Sequence, residues 1–204
     1  VFIASGLGGG TGTGASPVTA EVARERGALV VAVVTTPFEF EGRRRAVVAE
    51  HGLGELKDRV DTLITVSNQK LFESVDRAMG VGEAFRKANA VLLQGISGIT
   101  NLVTKPGLIN LDFADVRTVL SGAGAAVLGV GFAEGDGRAR AAALAALSCP
   151  FLSEGQVRGA QNVLLNIESG TNPELTLGEI EEVMKTITEA TDGSANIVFG
   201  TVLD

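Results

Sequence analysis

A glycine-rich segment between an apolar run and a helical pattern is the feature that most limits how this chain can fold. The segment is Gly8–Gly14, with the sequence GGGTGTG. Val1–Ser5 before it predicts a short strand, and Ser16 followed by Pro17 predicts a helix start with serine as the N-cap. Glycines allow a tight turn and a close approach of the backbone to a ligand. The following helix would point its N–H groups and positive dipole end at the loop, so the segment predicts a phosphate cradle.

Two common phosphate-loop motifs fit this segment poorly. A Walker A loop requires Gly-Lys-Ser/Thr, and the first lysine of the chain is Lys57. A Rossmann fingerprint can be aligned from Gly10, but its acidic partner is expected about 20 residues on, and Glu39 and Glu41 lie somewhat farther along the chain. A tight strand-to-helix turn without any ligand is the remaining structural alternative.

Strands and helices alternate along the chain, which predicts an α/β fold with a parallel sheet and right-handed crossovers. One almost unbroken apolar run, Ala28–Thr36, is typical of a strand that is buried on both faces. The other predicted strands are Val1–Ser5, Asp61–Val66, Ala125–Phe132, Ala160–Ile167 and Ala195–Val202. Besides the helix at Ser16, which Gly27 ends, the predicted helices are Arg43–Lys57, Val81–Thr104, one from about Asp112, Gly137–Leu147 and Leu177–Ala190.

The spacing of apolar residues predicts which helix faces are buried. In the helix Arg43–Lys57 the inward residues are Val47, Val48 and Leu56. The long helix Val81–Thr104 carries apolar residues every three or four positions, and these predict burial along its length. They are Phe85, Ala88, Leu92, Ile96, Ile99 and Val103.

Composition excludes several classes of protein. The chain has 204 residues, of which 45% are hydrophobic, so it can bury a sizeable core, and the scarcity of aromatic residues makes that core aliphatic. A net charge of -7 argues against a broad nucleic-acid surface. The single cysteine, Cys149, permits no intrachain disulfide and suits a reducing cytoplasm. No apolar run approaches the ~18 residues that a membrane span requires.

Several segments together resemble one known family, the tubulin/FtsZ GTPases, and resemble its FtsZ branch more closely than tubulin. The whole heptapeptide Gly8–Gly14 is similar to the family's signature loop, and Pro37–Arg45, with the sequence PFEFEGRRR, looks like its ribose-side loop. Gly107–Arg117, with the sequence GLINLDFADVR, is close to the synergy loop of bacterial members. The resemblance covers essentially the whole chain.

The resemblance implies a set of site residues. The family binds GTP or GDP, with Mg²⁺ held through the nucleotide and with no protein metal site of its own. The implied nucleotide-binding residues are Gly8, Gly9, Gly10, Thr11, Gly12, Thr13, Gly14, Glu41, Arg45, Asn68, Phe85 and Asn89. Among them Asn68 matches a sugar contact, Phe85 the base-stacking aromatic and Asn89 the base-reading residue. The implied catalytic residues, Asp112 and Asp115, would project into the pocket of a neighbouring subunit and orient the attacking water.

The resemblance also implies how the protein acts. We expect the rear part of a Rossmann-like parallel-sheet GTPase domain at 1–80, a central helix with the synergy loop and next helix at 81–122, and a smaller α/β domain with a mixed sheet at 123–204. The expected function is GTP-dependent head-to-tail polymerisation in the division ring at mid-cell, in the cytoplasm. The expected partner is the chain itself, with neither nucleic acid nor direct membrane insertion. We also expect the family's N-terminal segment, and the tail that binds other division proteins, to be absent here, and the isolated chain to be inactive.

Each of these roles has a competing interpretation. Asp112 followed by an acid three residues later is nearly a capping box. The capping role and the implied catalytic role can coexist. By periodicity alone Phe85 belongs to a core stripe, Asn89 could face water, and residues 42–45 could be a solvated helix start. For the whole chain, the alternatives are a non-catalytic piece that only docks on neighbouring subunits, and a Rossmann NAD-binding enzyme.

Overall fold

The apolar run Val31–Thr36 forms the centre of a parallel sheet. The computed structural model describes residues 1–73, 79–152, 154–171 and 173–203. Four strands lie side by side in chain order and are all parallel: β1 (Phe2–Gly6), β2 (Val31–Thr36), β3 (Thr62–Ser67) and β4 (Gly124–Ala126). All but the last residue of β2 are buried, which confirms the prediction of a strand covered on both faces. The α/β fold class is therefore as predicted.

Helices connect these strands and continue through the rest of the chain. The described helices are α1 (Thr11–Glu25), α2 (Arg43–Lys57), α3 (Asn68–Glu73), α4 (Val81–Thr104), α5 (Phe113–Leu120), α6 (Arg138–Leu147), α7 (Glu154–Arg158) and α8 (Leu177–Ala190), with a 3₁₀ turn at Glu39–Glu41. The bounds predicted for α2, α4 and α8 are confirmed, whereas α3, α7 and the 3₁₀ turn were not predicted. Within the described residues no helix has both the length and the apolarity to cross a bilayer.

The chain divides into two compact units. The first comprises Val1–Ile96 and Leu120–Leu128, and the second comprises Ser97–Val119 and Gly129–Asp204. The first two thirds of α4 thus belong to one unit and its last third belongs to the other. The domain boundaries predicted from the sequence, at residues 80 and 122, do not coincide with the limits of these units. The division into domains at those boundaries remains a prediction.

The start of α1 differs from the prediction. The helix begins at Thr11, with Gly10 as N-cap, so Pro17 lies inside it and the prediction of Ser16 as the cap is wrong. A helix can start this early because Gly12 lets its first turn approach β1: a Cβ at Gly12 would lie 2.3 Å from the carbonyl oxygen of Gly6. Ser16 is buried, and its hydroxyl hydrogen-bonds that of Ser5 at 2.9 Å. Gly27, at a φ of 73°, follows the helix end as predicted.

Two buried helix faces agree with the prediction at Leu56 and Ala88 and differ from it at other positions. In α2 the buried residues are Ala49, Gly52 and Leu56, while Val47 is exposed, so its predicted inward orientation is wrong. In α4 the buried apolar residues are Ala84, Ala88 and Leu102, while Phe85 and Val103 are exposed at 38% and 39%. Small residues on these faces allow close packing, because a Cβ at Gly52 would lie 2.5 Å from the methyl group of Thr13 on α1.

The second unit contains a separate, smaller sheet. Its strands β5 (Asn162–Ser169) and β6 (Asn196–Leu203) pair in parallel over their whole length, where a mixed sheet was predicted. Helices α6 and α8 pack together through Ala139, Ala143, Val183 and Ile187, with apolar residues of β5 and β6 against them. This core is small and aliphatic, as the composition predicts.

An ion pair joins α6 to the start of α8. Arg138 Nε donates to Glu179 Oε1 at 2.6 Å, and Glu179 also closes a capping box with Thr176, the N-cap of α8. The hydrogen bonds from Arg138 and then from the Thr176 backbone lower the pKa of Glu179 from the ordinary value of 4.5 to about 2. The same hydrogen bond raises the pKa of Arg138. The two helices are therefore linked by charge as well as by apolar contact.

The predicted strand Ala125–Phe132 forms only in part. Its first residues pair with β3 as β4, but residues 127–132 are not in a strand. Glycines at two of these positions place the backbone against α6: a Cβ at Gly129 would lie 2.4 Å from the Ala146 carbonyl oxygen, and one at Gly131 would lie 2.0 Å from that of Ala142. The glycines thus serve helix packing, and glycine also weakens strand pairing.

Candidate functional site

Three segments singled out in the sequence follow the carboxyl ends of neighbouring parallel strands. The glycine loop follows β1, the segment 37–42 follows β2, and Asn68 follows β3. The register pairs Gly6 with Thr35, and Thr36 with Ser67, so the three strands end side by side. In open α/β sheets ligands bind outside this edge. The fold therefore brings these three segments together at one edge of the sheet.

The glycine loop is held in a fixed conformation by one of its own threonines. Gly8 has a φ of 102°, a conformation that favours glycine, and its N–H donates to Thr13 Oγ1 at 3.0 Å. Thr13 is buried, so its hydroxyl accepts this bond inside the loop instead of pointing outward as a ligand donor. Leu7 N also donates to the Thr35 carbonyl at 2.9 Å, which ties the loop to β2. The loop is thus held in shape by hydrogen bonds within the protein.

The exposed part of the loop is the N-terminus of α1. Gly9, Gly10 and Thr11 are exposed, and apart from adjoining residues of the chain, no described atom lies within 4 Å of a Cβ built at Gly9 or Gly10. The first N–H groups of a helix have no partner within the helix, and Gly10 as N-cap offers no side chain to satisfy them. Open space in front of such N–H groups and the positive end of the dipole suits an anion.

Asn68 contributes a buried polar atom that the protein leaves unsatisfied. Only 5% of the residue is exposed, and its Oδ1 has no hydrogen-bond partner within the described part of the chain. Leaving such an acceptor unpaired costs about 1–3 kcal/mol. A buried, unpaired acceptor at the carboxyl edge of the sheet fits a site that binds a hydrogen-bond donor, such as a sugar hydroxyl.

Glu41 and Arg45 are held to each other and to the backbone. Glu41 Oε1 accepts from Phe38 N at 2.9 Å, which caps the 3₁₀ turn, and Glu41 Oε2 accepts from Arg45 Nη1 at 2.6 Å. The Glu41 side chain is 11% exposed and that of Arg45 is 57% exposed. Glu41 therefore has a structural role in shaping the segment after β2, and Arg45 is the more accessible of the two to a ligand.

An aromatic cluster connects this segment with the start of α4. The ring of Phe38 is buried, stacks on Phe40 at a centroid distance of 4.8 Å, and meets the ring of Phe85 edge-on at 5.2 Å. Phe85 lies at the rim with 38% of its surface exposed, which fits the stacking role better than the core role. Asn89, one turn later, is exposed as well. Sequence reasoning did not identify Phe38 and Phe40 as the support of Phe85.

The loop with the two predicted catalytic acids belongs to the second unit. Asp115 N donates to Asp112 Oδ1 at 2.9 Å, and Asp112 N donates to Asp115 Oδ2 at 3.3 Å, a reciprocal capping box at the start of α5. Both residues are exposed. The capping role is therefore present in the structure. Each carboxylate gives one oxygen to the box and has a second oxygen that can face another molecule.

A protein metal centre is not formed in the described part of the chain. No three His, Cys, Asp or Glu side chains there are grouped as metal ligands. The one buried orphan acceptor at the sheet edge, Asn68 Oδ1, is a neutral amide oxygen. The groups at the edge are the N–H donors at the start of α1 and one amide acceptor, which together suit a ligand with an anionic part and a hydroxyl donor.

Comparison with known proteins agrees with this description. Residues 1–76 match the family model described as "Tubulin/FtsZ family, GTPase domain", and residues 124–204 match "FtsZ family, C-terminal domain". A solved empty FtsZ dimer from M. jannaschii is 43% identical with a TM-score of 0.93, and covers 100% of this chain. The solved structure of a mutant of that FtsZ is also 43% identical in sequence to this chain, with a TM-score of 0.92. GDP-bound CetZ1 from Haloferax volcanii, at 24% identity and a TM-score of 0.80, shares the fold.

The fold and the sheet edge define a parallel-sheet α/β protein of the tubulin-like class, with a glycine loop held in shape by hydrogen bonds within the protein. Both family models and the solved FtsZ structures then place it more narrowly: the chain belongs to the tubulin/FtsZ family. The chain spans 58% and 60% of the length of the two FtsZ chains, and 59% of the CetZ1 chain. The bacterial assignment made from the sequence stays a prediction.

Proposed function

We propose that this chain supplies the phosphate loop and the hydrolysis-triggering loop of a GTPase that polymerises head to tail. The observation that supports the nucleotide site is the buried Oδ1 of Asn68, which has no hydrogen-bond partner among the described residues and lies at the sheet edge where α1 presents its N-terminus. Membership of the tubulin/FtsZ family supports GTP or GDP as the ligand. The empty FtsZ dimer among the similar structures supports self-association.

Each group at the edge has a role in this proposal. The N–H groups at Gly9–Gly12 hold phosphate oxygens, and Asn68 accepts a hydrogen bond from the ribose. Phe85 stacks on the base and Asn89 reads its edge, while Arg45 neutralises charge. Mg²⁺, bound through the phosphates, would offset negative charge in the transition state. The remaining step is activation of a water molecule, which requires a carboxylate aimed at the γ-phosphate.

Asp112 and Asp115 supply that carboxylate to the neighbouring subunit. They are exposed on the second unit, and the capping box fixes their backbone and one oxygen of each. A contact that joins one face of a subunit to a different face of the next does not close, so it forms filaments. Hydrolysis then depends on assembly. A division ring in the cytoplasm at mid-cell is the cellular role that this chemistry suits.

A second candidate function is the alternative stated from the sequence, a chain that docks on neighbouring subunits without hydrolysing nucleotide. The empty FtsZ dimer among the similar structures supports the docking part of it. The two proposals differ in one measurement, the affinity of this chain alone for GTP. Micromolar affinity by calorimetry favours the complete nucleotide site, and no binding favours docking alone.

The catalytic proposal is tested by Asp115→Asn in the natural polypeptide that carries this sequence, called the parent polypeptide below. The amide can still accept the hydrogen bond from Asp112 N, so α5 should stay capped. It can neither take a proton nor carry charge, and general-base catalysis contributes about a hundredfold or more. We expect phosphate release to fall by roughly that factor, with GTP affinity and sedimentation of polymers unchanged.

The control for this test is Asp115→Glu, because glutamate is a favoured residue at the third position of a capping box. This variant keeps the charge and moves the carboxylate by one methylene group. Intermediate turnover is expected. If Asp115→Asn hydrolyses GTP at the normal rate per polymerised subunit, the carboxylate serves α5 alone and the catalytic proposal is wrong.

A further inference from the structure

The loop before Asp112 is attached to β6 by contacts that the function described above does not use. Two residues of the loop, Gly107 and Ile109, contact Thr201, which lies near the C-terminal end of β6 and is 2% exposed. Thr201 is 92 positions away from Ile109 in the chain. All three residues belong to the second unit, so these contacts lie within one compact body.

A pair of hydrogen bonds joins Ile109 and Thr201. Thr201 N donates to the Ile109 carbonyl at 2.9 Å, and Ile109 N donates to Thr201 Oγ1 at 2.8 Å. The first bond uses only backbone atoms and is available to any residue at 201 except proline. The second requires a hydroxyl group, so it depends on the threonine side chain. The Thr201 hydroxyl thus accepts the hydrogen bond that a backbone carbonyl would otherwise have to accept from Ile109 N.

Close packing holds the loop at the same place from both sides. A Cβ at Gly107 would lie 1.5 Å from the Thr201 carbonyl oxygen, so the loop backbone lies directly on the strand. On the neighbouring residue of β6, a Cβ at Gly200 would lie 3.2 Å from Leu111 Cγ and 3.3 Å from the Ile109 carbonyl oxygen. Gly107 N also donates to Asn110 Oδ1 at 2.8 Å, which closes the loop on itself.

These contacts continue into the acidic end of the loop. Ile109 is anchored to β6, and three residues later Asp112 begins the capping box with Asp115. From the anchor to α5, the loop therefore has hydrogen bonds at both ends. A loop of this kind presents its side chains in one arrangement, and a misplacement of about 1 Å at a catalytic group can cost on the order of a hundredfold in rate.

We propose that Thr201 is a positioning residue for hydrolysis: its hydroxyl fixes the loop on β6 so that Asp112 and Asp115 are pre-arranged for the neighbouring subunit's nucleotide. This inference rests on the proposed function of the two acids. It adds that a residue of β6, in the subunit that donates the loop, determines how accurately the two carboxylates are positioned. The nucleotide-binding edge in the first unit is not involved.

The test compares four variants of the parent polypeptide. Thr201→Val removes the hydroxyl with little change in volume, and Thr201→Ser keeps it. Thr191→Val is the matched control, because Thr191 is also 2% exposed and its hydroxyl donates only to the α8 carbonyls of Ile187 and Thr188. Asp115→Asn reports on the proposed function. Phosphate release per polymerised subunit, GTP affinity and the midpoint of thermal unfolding are measured for each.

The expected result separates positioning from stability. Thr201→Val should release phosphate about tenfold more slowly, as expected for a displaced catalytic group, with unchanged GTP affinity and with a thermal midpoint like that of Thr191→Val. Thr201→Ser should keep most of the turnover. Turnover of Thr201→Val equal to that of Thr191→Val overturns the inference, and so does a Thr201→Ser variant as slow as Thr201→Val.

Two further outcomes are distinguishable. If Asp115→Asn is fully active, the proposed function fails; if Asp115→Asn is inactive while Thr201→Val is normal, only the positioning inference fails. If Thr201→Val does not fold, the anchoring of the loop is tested instead by amide hydrogen exchange in the unaltered protein. Slow exchange of the Ile109 N–H supports the anchor, and exchange as fast as that of an exposed loop amide overturns it.

Discussion

At the residue scale, the polar atoms that the fold buries are more informative than the charged groups on its surface. Asn68 and Asn166 each bury a side-chain oxygen without a partner within the described residues. Asn166 is otherwise engaged, since its Nδ2 donates to the Gly98 carbonyl and to Glu168. Asn68 lies at the carboxyl edge of the sheet, where a ligand can supply the missing donor.

The proposed ligand role of Asn68 predicts an effect on binding without a matching loss of stability. Asn68→Ala in the parent polypeptide removes an acceptor that has no partner among the described residues, so the thermal midpoint without nucleotide should stay the same or rise. Loss of one hydrogen bond to the ribose should weaken GTP binding about three- to tenfold. Calorimetry and thermal unfolding measure the two effects.

Asn196→Ala provides the comparison, because Asn196 is an exposed asparagine in β6 of the second unit. It should alter neither quantity. A variant Asn68→Ala that unfolds at a clearly lower temperature and binds GTP normally would mean that Asn68 supports the fold and not the ligand.

How far single residues could be predicted depended on how local their contacts are. Asp112 and Asp115 are three positions apart, so their capping box could be predicted from spacing alone. The packing of Phe38 on Phe85 and the bond between Thr201 and Ile109 join residues that are distant in the chain. Periodicity holds no signal for such contacts, and the resemblance to a family identified Phe85 but not its support.

At the element scale, the link between α6 and α8 makes the second unit sensitive to acid. The Glu179 carboxylate is stabilised in the folded state by Arg138 and Thr176, and its pKa falls from 4.5 to about 2. A depressed folded-state pKa means that the unfolded chain binds the proton first. The stability from this carboxylate is therefore present above pH 4.5 and is lost as the pH falls towards about 2.

This sign gives a prediction for Glu179→Gln. The variant should unfold at lower denaturant concentration than the unaltered protein at neutral pH, because the charged hydrogen bonds to Arg138 are lost. The difference should shrink as the pH falls below 4.5 and should vanish near about 2. Denaturant unfolding across this range, followed by circular dichroism, measures it. A difference that is constant with pH would show that the charge of Glu179 does not contribute.

Whether an element could be predicted depended on what sets its ends. Helices α2 and α8 match the prediction, since their ends coincide with local signals such as Gly42 before α2 and Thr176 as the N-cap of α8. Helix α1 starts earlier than its local signals indicate, because Gly12 packs against the carbonyl oxygen of Gly6 in β1. A tertiary contact, which the local pattern cannot contain, decided that end.

At the scale of the whole molecule, the two compact units hold different halves of the proposed chemistry. The sheet edge with Gly9, Gly10 and Asn68 is in the first unit, and Asp112 and Asp115 are in the second. If each nucleotide is hydrolysed by the loop of a neighbour, defects in the two units should complement each other in a mixed polymer. The parent polypeptide allows this to be measured directly.

The complementation prediction uses two inactive variants. Gly10→Asp places a carboxylate in the open space before α1 and should abolish GTP binding by repelling phosphate, while leaving the acidic loop intact. Asp115→Asn should bind GTP but not hydrolyse it. Each variant alone should be inactive, and an equimolar mixture should release phosphate wherever an intact loop meets a bound nucleotide.

A mixture of Asp112→Ala with Asp115→Asn is the control, because both variants lack a complete acidic loop and should stay inactive together. If the first mixture releases no more phosphate than its two components alone, hydrolysis does not occur between subunits. The proposal of assembly-dependent turnover would then be wrong, whatever the affinity for GTP.

The capping role of Asp112 and Asp115, beside their proposed role in hydrolysis, affects how related sequences can be interpreted. Because the two carboxylates also close the start of α5, a lineage that had lost hydrolysis would still be selected to keep capping residues at these positions. Retention of both acids in a distant homologue is thus weak support for an active enzyme. A homologue with Ser or Thr at the first position and Glu at the second would keep the capped helix but lose the carboxylate of Asp112, and under the proposed function we expect it to hydrolyse GTP poorly.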